Sequence, residues 1–220
     1  MSTVSEYQTT GFTVVPGLFS RDRVVKMKRT VIELLKEIGR LDIPSGVTVW
    51  MADKLDENIR DFVTDPDLVQ AVRNLIGETP EFLSVKSVFK SAEKRFPSPW
   101  HQDWFYWNGS PKLSAWIALD EATEENGCLR VMPGTHSRVF PMVKTKTGTG
   151  FERQIPSSEL KGLPIQTVPV GVGDVIFFHD LAVHGSHENR SGGDRWSLIA
   201  TYRDRSEPDE STVWNSTLPL

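Results

Sequence analysis

The chain has 220 residues, 38% hydrophobic and 25% charged, and a formal charge of −4 at pH 7. That length suits one domain with a sizeable core, and the mild acidity gives no basic footprint for nucleic acid or an anionic membrane surface. A lone cysteine, Cys128, excludes an internal disulfide and fits a reducing compartment.

"MSTVSEYQTTGF" has neither the basic start nor the apolar stretch of a secretory signal, and no apolar run reaches membrane-spanning length, so the expected location is the cytoplasm. "FTVVPGLF" (12–19) reads as a short strand stopped by Pro16-Gly17. Ser20 caps a helix predicted through about Ile38, with Gly39 as its stop. Val24, Met27, Val31, Leu34, Leu35 and Ile38 recur at three- and four-residue steps, so one face should pack inward. In "TDPDLVQAVRNLIG", Asp65 caps a second helix, Pro66 takes its first position and Gly77 ends it.

After Gly77 the period changes. Residues 82–90, 113–120, 127–132, 165–170, 174–178 and 197–203 are short runs rich in β-branched or aromatic residues, punctuated by "NGS", "ENG", "PGTHS", "PVGVGD" and "RSGGD". No helical pattern separates them, which predicts an antiparallel sandwich or barrel. The expected organisation is a single domain over 1–220, with a helical part over about 1–80 and a β core over about 81–205. Residues 143–163, with "KTKTGTG", are expected to form a long irregular loop that serves as a lid.

The stretch "SPWHQDWFYWNG" (98–109) sets one histidine and one carboxylate among aromatic rings. On a strand, residues i and i+2 share a face, so His101 and Asp103 project together with Phe105 and Trp107, while Trp100, Trp104 and Tyr106 face away. Alone, such a pair also fits a hydrogen-bonded surface couple. A second stretch, "FFHDLAVHGSHENRS", adds His179, His184 and His187 after an apolar run. Two histidines and one carboxylate on one face of a metal, with the remaining positions open, is the ligand set of non-haem Fe(II) oxygenases.

A 2-oxo acid bound through its near end needs a cation for its far carboxylate, and the planar arginine fork suits it. Arg195, at the start of the last strand and in register with Ser197, fits that role; Arg190 and Arg203 read as surface residues. The remaining polar residues take ordinary readings. His136 closes a turn, Cys128 is a buried structural thiol, and Arg130 and Arg153 are either solvated or placed to meet an acidic substrate. "GTG" (148–150) lacks the rest of a phosphate-binding fingerprint.

Taken in order, "YQTTGFTVVPGLFS", "WHQDWFYW", "LSAWIALDEATEENGCLRVMPGTHS" and "HGSHENRSGGDRWSLIATY" resemble the phytanoyl-CoA dioxygenase family of Fe(II)- and 2-oxoglutarate-dependent oxygenases over nearly the whole chain. The "PSP" before Trp100 departs from the glycine-bearing turn of relatives. The resemblance implies a mainly β fold, a double-stranded β-helix (a cupin-like jelly roll) with flanking N-terminal helices. It implies His101, Asp103 and His184 as metal ligands, Arg195 as the 2-oxoglutarate arginine and Ser186 as its assisting hydroxyl. Trp107 is implied as an aromatic near the co-substrate, with Lys86 on the preceding strand also within its reach.

The implied cofactors are Fe(II), 2-oxoglutarate and O2. The implied reaction hydroxylates an unactivated C–H bond of a small-molecule metabolite and releases succinate and CO2. Halogenating relatives lack the carboxylate ligand that Asp103 supplies here. No nucleic acid or membrane partner is implied, and the oligomeric state stays open. Two competing readings are a metal-dependent isomerase and a non-catalytic metal-binding sensor on the same fold; neither gives Arg195 a purpose.

Overall fold

The computed structural model describes residues 2–145, 151 and 153–220. In chain order these hold α1 (Thr3–Thr10), β1 (Phe12–Val15), α2 (Arg21–Glu37), β2 (Val47–Met51), α3 (Glu57–Val63), α4 (Pro66–Ile76), β3 (Pro80–Lys90), β4 (Leu113–Ala118), β5 (Leu129–Val131), β6 (Val143–Lys144), β7 (Arg153–Gln154), β8 (Gln166–Val168), β9 (Val175–His179), β10 (His184–Ser186), β11 (Arg195–Asp204) and β12 (Leu218–Pro219). Short 3-10 turns lie at Asp103–Tyr106 and Ser157–Leu160, among others.

The helix starts follow their caps. The Ser20 hydroxyl accepts from Arg23 N at 3.4 Å. Asp65 accepts from Asp67 N and Leu68 N, with Pro66 in the first turn. Val24, Met27, Val31 and Leu35 form the buried face of α2, each full burial contributing about 1.5–3 kcal/mol over exposure. Ile38, expected inward, is 50% exposed, because the helix has ended and the residue sits in its C-cap.

The larger sheet runs β1-β9-β4-β11-β3-β12, with β2 also on β3; β10-β5-β8 form the smaller one, and the pairs are antiparallel. Central strands of the larger sheet are buried on both faces, which explains their nearly continuous apolar sequences. Leu113, Ala115, Ile117, Val175, Phe177, Leu198, Ala200 and Tyr202 pack with α2, α3 and α4. Their alternates Trp116, Ala118, Ile176 and Phe178 pack against Leu129, Val131 and Val168 of the smaller sheet. Two facing sheets covered by helices on one outer side make the expected jelly roll.

Three expectations change. The strand through His101 is a single bridge to His184. The chain then turns, because Trp104 N donates to Asp180 O and Asn108 N to Trp104 O, so tertiary bonding overrides the β-propensity of "WFYW". The stretch 143–163 is not wholly irregular: β6 pairs with β7 and a 3-10 turn follows. Most of "KTKTGTG", and six residues of the expected lid (146–150 and 152), lie outside the described residues. Arg203, expected at the surface, pairs its Nε with Glu81, its side chain only 15% exposed. No helix among the described residues is long and apolar enough to cross a membrane.

Candidate metal centre and its cavity

His101 and His184 face each other because their backbones exchange hydrogen bonds, each N donating to the other's O at 3.0 Å. Gly185 permits this approach: a side chain there would stand 2.9 Å from the Ser98 carbonyl oxygen. Asp103 joins them from the start of the 3-10 turn. One ligand atom from each of the three residues lies within 4.8 Å of the others, and all three residues are buried.

The imidazole tautomers follow from backbone partners. His101 Nδ1 lies 2.8 Å from Pro99 O and His184 Nδ1 lies 2.9 Å from Ala182 O. A carbonyl can only accept, so each Nδ1 carries the proton and each Nε2 offers its lone pair. Burial, then the neighbouring His101, lowers the His184 pKa to about 4, leaving it neutral at pH 7. Burial works to raise the Asp103 pKa, but Lys86 and the two imidazoles outweigh it and hold the carboxyl well below its usual range. Asp103 Oδ1 faces both rings, at 3.5 Å from His101 Nε2 and 4.0 Å from His184 Nε2. Two neutral nitrogens and one carboxylate, converging and pre-oriented, form a donor set that could hold a divalent first-row metal such as Fe(II).

The three residues line a cavity of about 460 Å³. At its closed end stands Arg195, 2% exposed. Its Nη1 donates to Ser197 Oγ at 2.9 Å, its guanidinium lies over Trp116, and its Nε has no partner among the described residues. Burial lowers its pKa to about 10, so it stays charged at pH 7.

Directly across the ladder is Lys90, 1% exposed, which the sequence reading missed. Its Nζ donates to Ser186 Oγ at 2.8 Å and to His187 O. Gly127, at φ +98°, makes room for it, since a Cβ there would stand 2.9 Å from Lys90 Cδ. Burial, then Arg195, lowers the Lys90 pKa to about 7. Period-two alternation from Lys86 through Val88 to Lys90 could have flagged it.

Ser186 lines the same end, its hydroxyl shared between Lys90 and Ser98. Lys86 and Trp107 sit instead beside the metal ligands: Lys86 Nζ is 4.0 Å from Asp103 Oδ2 and 5.3 Å above the Trp107 ring. Trp107 is fixed by its indole N–H, which donates to the buried Asp180 at 2.8 Å.

The turn at Asp103 brings Tyr106 into the cavity and leaves Phe105 out of its lining, the reverse of strand alternation. Phe151 reaches the cavity too, its ring 4.9 Å from that of His101. Val213 and Trp214, from the tail after β11, complete the mouth. That tail is held by Asp209 Oδ1, which accepts from Lys112 Nζ at 2.8 Å and Ser110 N at 2.9 Å.

His179 and His187 lie outside the three-residue cluster; His187 Nε2 is 3.2 Å from Thr167 Oγ1. His136 Nε2 meets Gln8 O at 3.2 Å, in keeping with a role in packing a turn. Burial pushes the Cys128 thiol up to about 11, as a structural cysteine requires. Arg130, read as either solvated or facing an acidic substrate, lays its guanidinium over Trp100, because the indole face offers a cation a partner.

A jelly roll whose sheets enclose a buried His-x-Asp…His set places the molecule in the cupin-like class with a two-histidine, one-carboxylate site. More narrowly, residues 7–197 match the family model described as phytanoyl-CoA dioxygenase, and the chain belongs to that family.

The peroxisomal phytanoyl-CoA dioxygenase of Mus musculus is 25% identical, over 87% of this chain and 64% of its own, so the chain spans just under two thirds of that relative. A probable alpha-ketoglutarate-dependent hypophosphite dioxygenase of Stutzerimonas stutzeri is 26% identical, over 90% of this chain and 76% of its own. Among solved structures, a non-heme alpha ketoglutarate dependent carbocyclase from nogalamycin biosynthesis superposes with a TM-score of 0.75 at 25% identity, covering 92% of this chain and 83% of that one.

Proposed function

We propose that the protein is an Fe(II)- and 2-oxoglutarate-dependent dioxygenase that hydroxylates a C–H bond of a small molecule. The observation that carries this reading is the pair of buried cations, Arg195 and Lys90, in the same cavity as the His101, Asp103 and His184 donor set. A metal centre alone does not explain a guanidinium and an amine buried side by side, because the charge of either is costly without an anion. A 2-oxo dicarboxylate supplies one. Membership of the family and the names of the relatives above support the same class.

In this reading His101 Nε2, Asp103 and His184 Nε2 would hold Fe(II), and the Nδ1 bonds to Pro99 and Ala182 fix the two rings. When bound, Fe(II) supplies the reduction of O2, coupled to decarboxylation of the co-substrate. The overall reaction would place one oxygen atom in succinate, with loss of CO2, and the other in the substrate as a hydroxyl. Arg195 grips the far carboxylate through its two-point fork, and Lys90 and Ser186 add a second charge and a hydroxyl. The rings of Tyr106, Trp107, Phe151 and Trp214 exclude water from the reacting face, which limits side reactions.

The test is conversion of 2-oxoglutarate to succinate, with and without Fe(II). Slow iron-dependent conversion in the wild type, absent in His184→Ala, is expected. No iron-dependent 2-oxoglutarate binding or turnover would favour the sensor or isomerase reading.

A further inference from the structure

Among the described residues the cavity is lined by three cationic side chains, Lys86, Lys90 and Arg195, and one carboxylate, Asp103. Fe(II) and the three cations carry five positive charges; Asp103 and the 2-oxoglutarate dianion remove three. Two remain, and one remains even with Lys90 neutral. The surplus is located at Lys86. Lys90 faces Arg195 across the β3–β11 ladder, whereas Lys86 faces Ile199. At roughly 3.4 Å per residue the two lysine backbones are about 14 Å apart, so Lys86 stands well away from the Arg195–Lys90 pair that would hold the far carboxylate.

The orientation of Lys86 narrows what it can meet. Asp103 turns Oδ1 toward the two imidazoles, and Lys86 approaches the other oxygen, Oδ2, from the Trp107 side. Once a metal takes up the charge of Asp103, the ammonium is left beside the metal ligands and facing the cavity mouth. Its side chain is 21% exposed, so water serves it until a substrate closes the mouth. Trp107 lies under its ammonium, Val49 faces it across the β2–β3 ladder, Trp214 packs on Trp107, and Tyr106 and Val213 line the same cavity, giving apolar and aromatic surface beside it.

We propose that the primary substrate is a free acid, whose carboxylate Lys86 binds while an apolar or aromatic body lies against Trp107 and Trp214. This rests on the dioxygenase reading above and names its substrate class. A cavity of this size takes a small or medium molecule. An acid anchored beside the metal ligands presents for oxidation a carbon close to its carboxylate.

The experiment uses anaerobic protein loaded with Fe(II) and 2-oxoglutarate, titrated with matched pairs: 3-phenylpropionate against 3-phenylpropionamide, and hexanoate against hexanamide. Tryptophan fluorescence reads the binding. Each acid is expected to bind about tenfold or more tighter than its amide, the scale of a hydrogen bond to a charged group. Lys86→Met and Lys86→Gln should bring each pair within about twofold, while Lys86→Arg keeps most of the preference. Thermal melting shows that all three variants fold, and 2-oxoglutarate affinity, read in the same samples, is expected to stay within about threefold.

Equal binding of acid and amide by the wild type overturns the proposal, as does a preference that survives Lys86→Met. A loss of 2-oxoglutarate affinity in Lys86→Met assigns Lys86 to the co-substrate and overturns it too. A wild type that prefers the acids through Lys86 yet binds no 2-oxoglutarate supports the acid anchor and overturns the dioxygenase reading instead.

Discussion

The two ends of the cavity are built differently. Arg195 and Lys90 face each other on β11 and β3, at the closed end, in a ladder of ten register pairs. The mouth is assembled from a 3-10 turn carrying Tyr106, the β6–β7 segment carrying Phe151, and a tail carrying Val213 and Trp214. Regular strands hold a group in place through many backbone bonds at once, which suits an end that always receives the same co-substrate. The turn at Asp103 and the tail are tied to the rest of the fold by few bonds, Trp104 N to Asp180 O and the Asp209 carboxylate among them, and can change without disturbing the sheet. The difference fits a closed end that would anchor the co-substrate and a mouth that would shape the choice of substrate.

The sharpest break concerns the residues between the two ends. His101→Ala, Asp103→Ala and His184→Ala should each abolish stoichiometric Fe(II) binding and turnover, measured by metal analysis after anaerobic loading. His179→Ala and His187→Ala should retain both. An active His184→Ala beside an inactive His187→Ala would move the third ligand.

At the closed end, Arg195→Leu would remove one partner of the proposed buried ion pair with the co-substrate, at a cost of roughly 3–5 kcal/mol. At ~1.4 kcal/mol per tenfold, 2-oxoglutarate should bind about two to three orders of magnitude more weakly. Arg195→Lys should recover part, since an ammonium lacks the two-point fork. Arg190→Leu, at an exposed position, is the control and should change little.

Lys90 sharpens the comparison through pH. Burial and then Arg195 lower its pKa to about 7, so the free protein loses this charge as pH rises through 7. A dianion favours the charged form, so 2-oxoglutarate affinity should fall between about pH 6 and 8.5, with proton uptake on binding at pH 7 and above. Lys90→Met should bind about tenfold more weakly at low pH and lose the slope. Calorimetry in two buffers of different ionisation enthalpy measures the proton count.

The smallest effect on co-substrate binding belongs to the mouth. Asp209→Ala removes the acceptor for Lys112 Nζ, Ser110 N and Ser211 N, and so frees the tail that carries Trp214. Lys112 keeps the carbonyls of Asn108 and Ser110, so the cost should be about 1–3 kcal/mol. For a chain of this size that lowers Tm by roughly 2–4 °C per kcal/mol. Trypsin should cut the tail faster while 2-oxoglutarate affinity stays within about threefold. A large loss of that affinity would erase the distinction between the two ends.

What could be read from sequence follows the same division. The ligands His101, Asp103 and His184 and the cation Arg195 stand in or beside strands whose apolar runs announce them, and the structure brings the three ligands into one cluster. Lys90 was overlooked although its alternation with Lys86 was in view. At the mouth the local rules mislead: strand alternation exchanged Tyr106 and Phe105, because the turn depends on Trp104 N reaching Asp180 O, a partner 76 positions away. Trp214 sits in a tail with no period at all.

Among the helices, α1 buries only Tyr7 and so shows no apolar stripe. By contrast α3 had a readable signature that went unused, with Asp56 as cap and Ile59, Phe62 and Val63 at helical spacing.

The central claim is that one cavity holds a metal and, through Arg195, a 2-oxo dicarboxylate. Its most direct test is an anaerobic titration of 2-oxoglutarate into three samples: Fe(II)-loaded wild type, metal-free wild type and Fe(II)-loaded Arg195→Leu. The account predicts one molecule bound per chain in the first, with affinity sharply reduced by removing either the metal or the guanidinium. Equal binding in all three samples would contradict it.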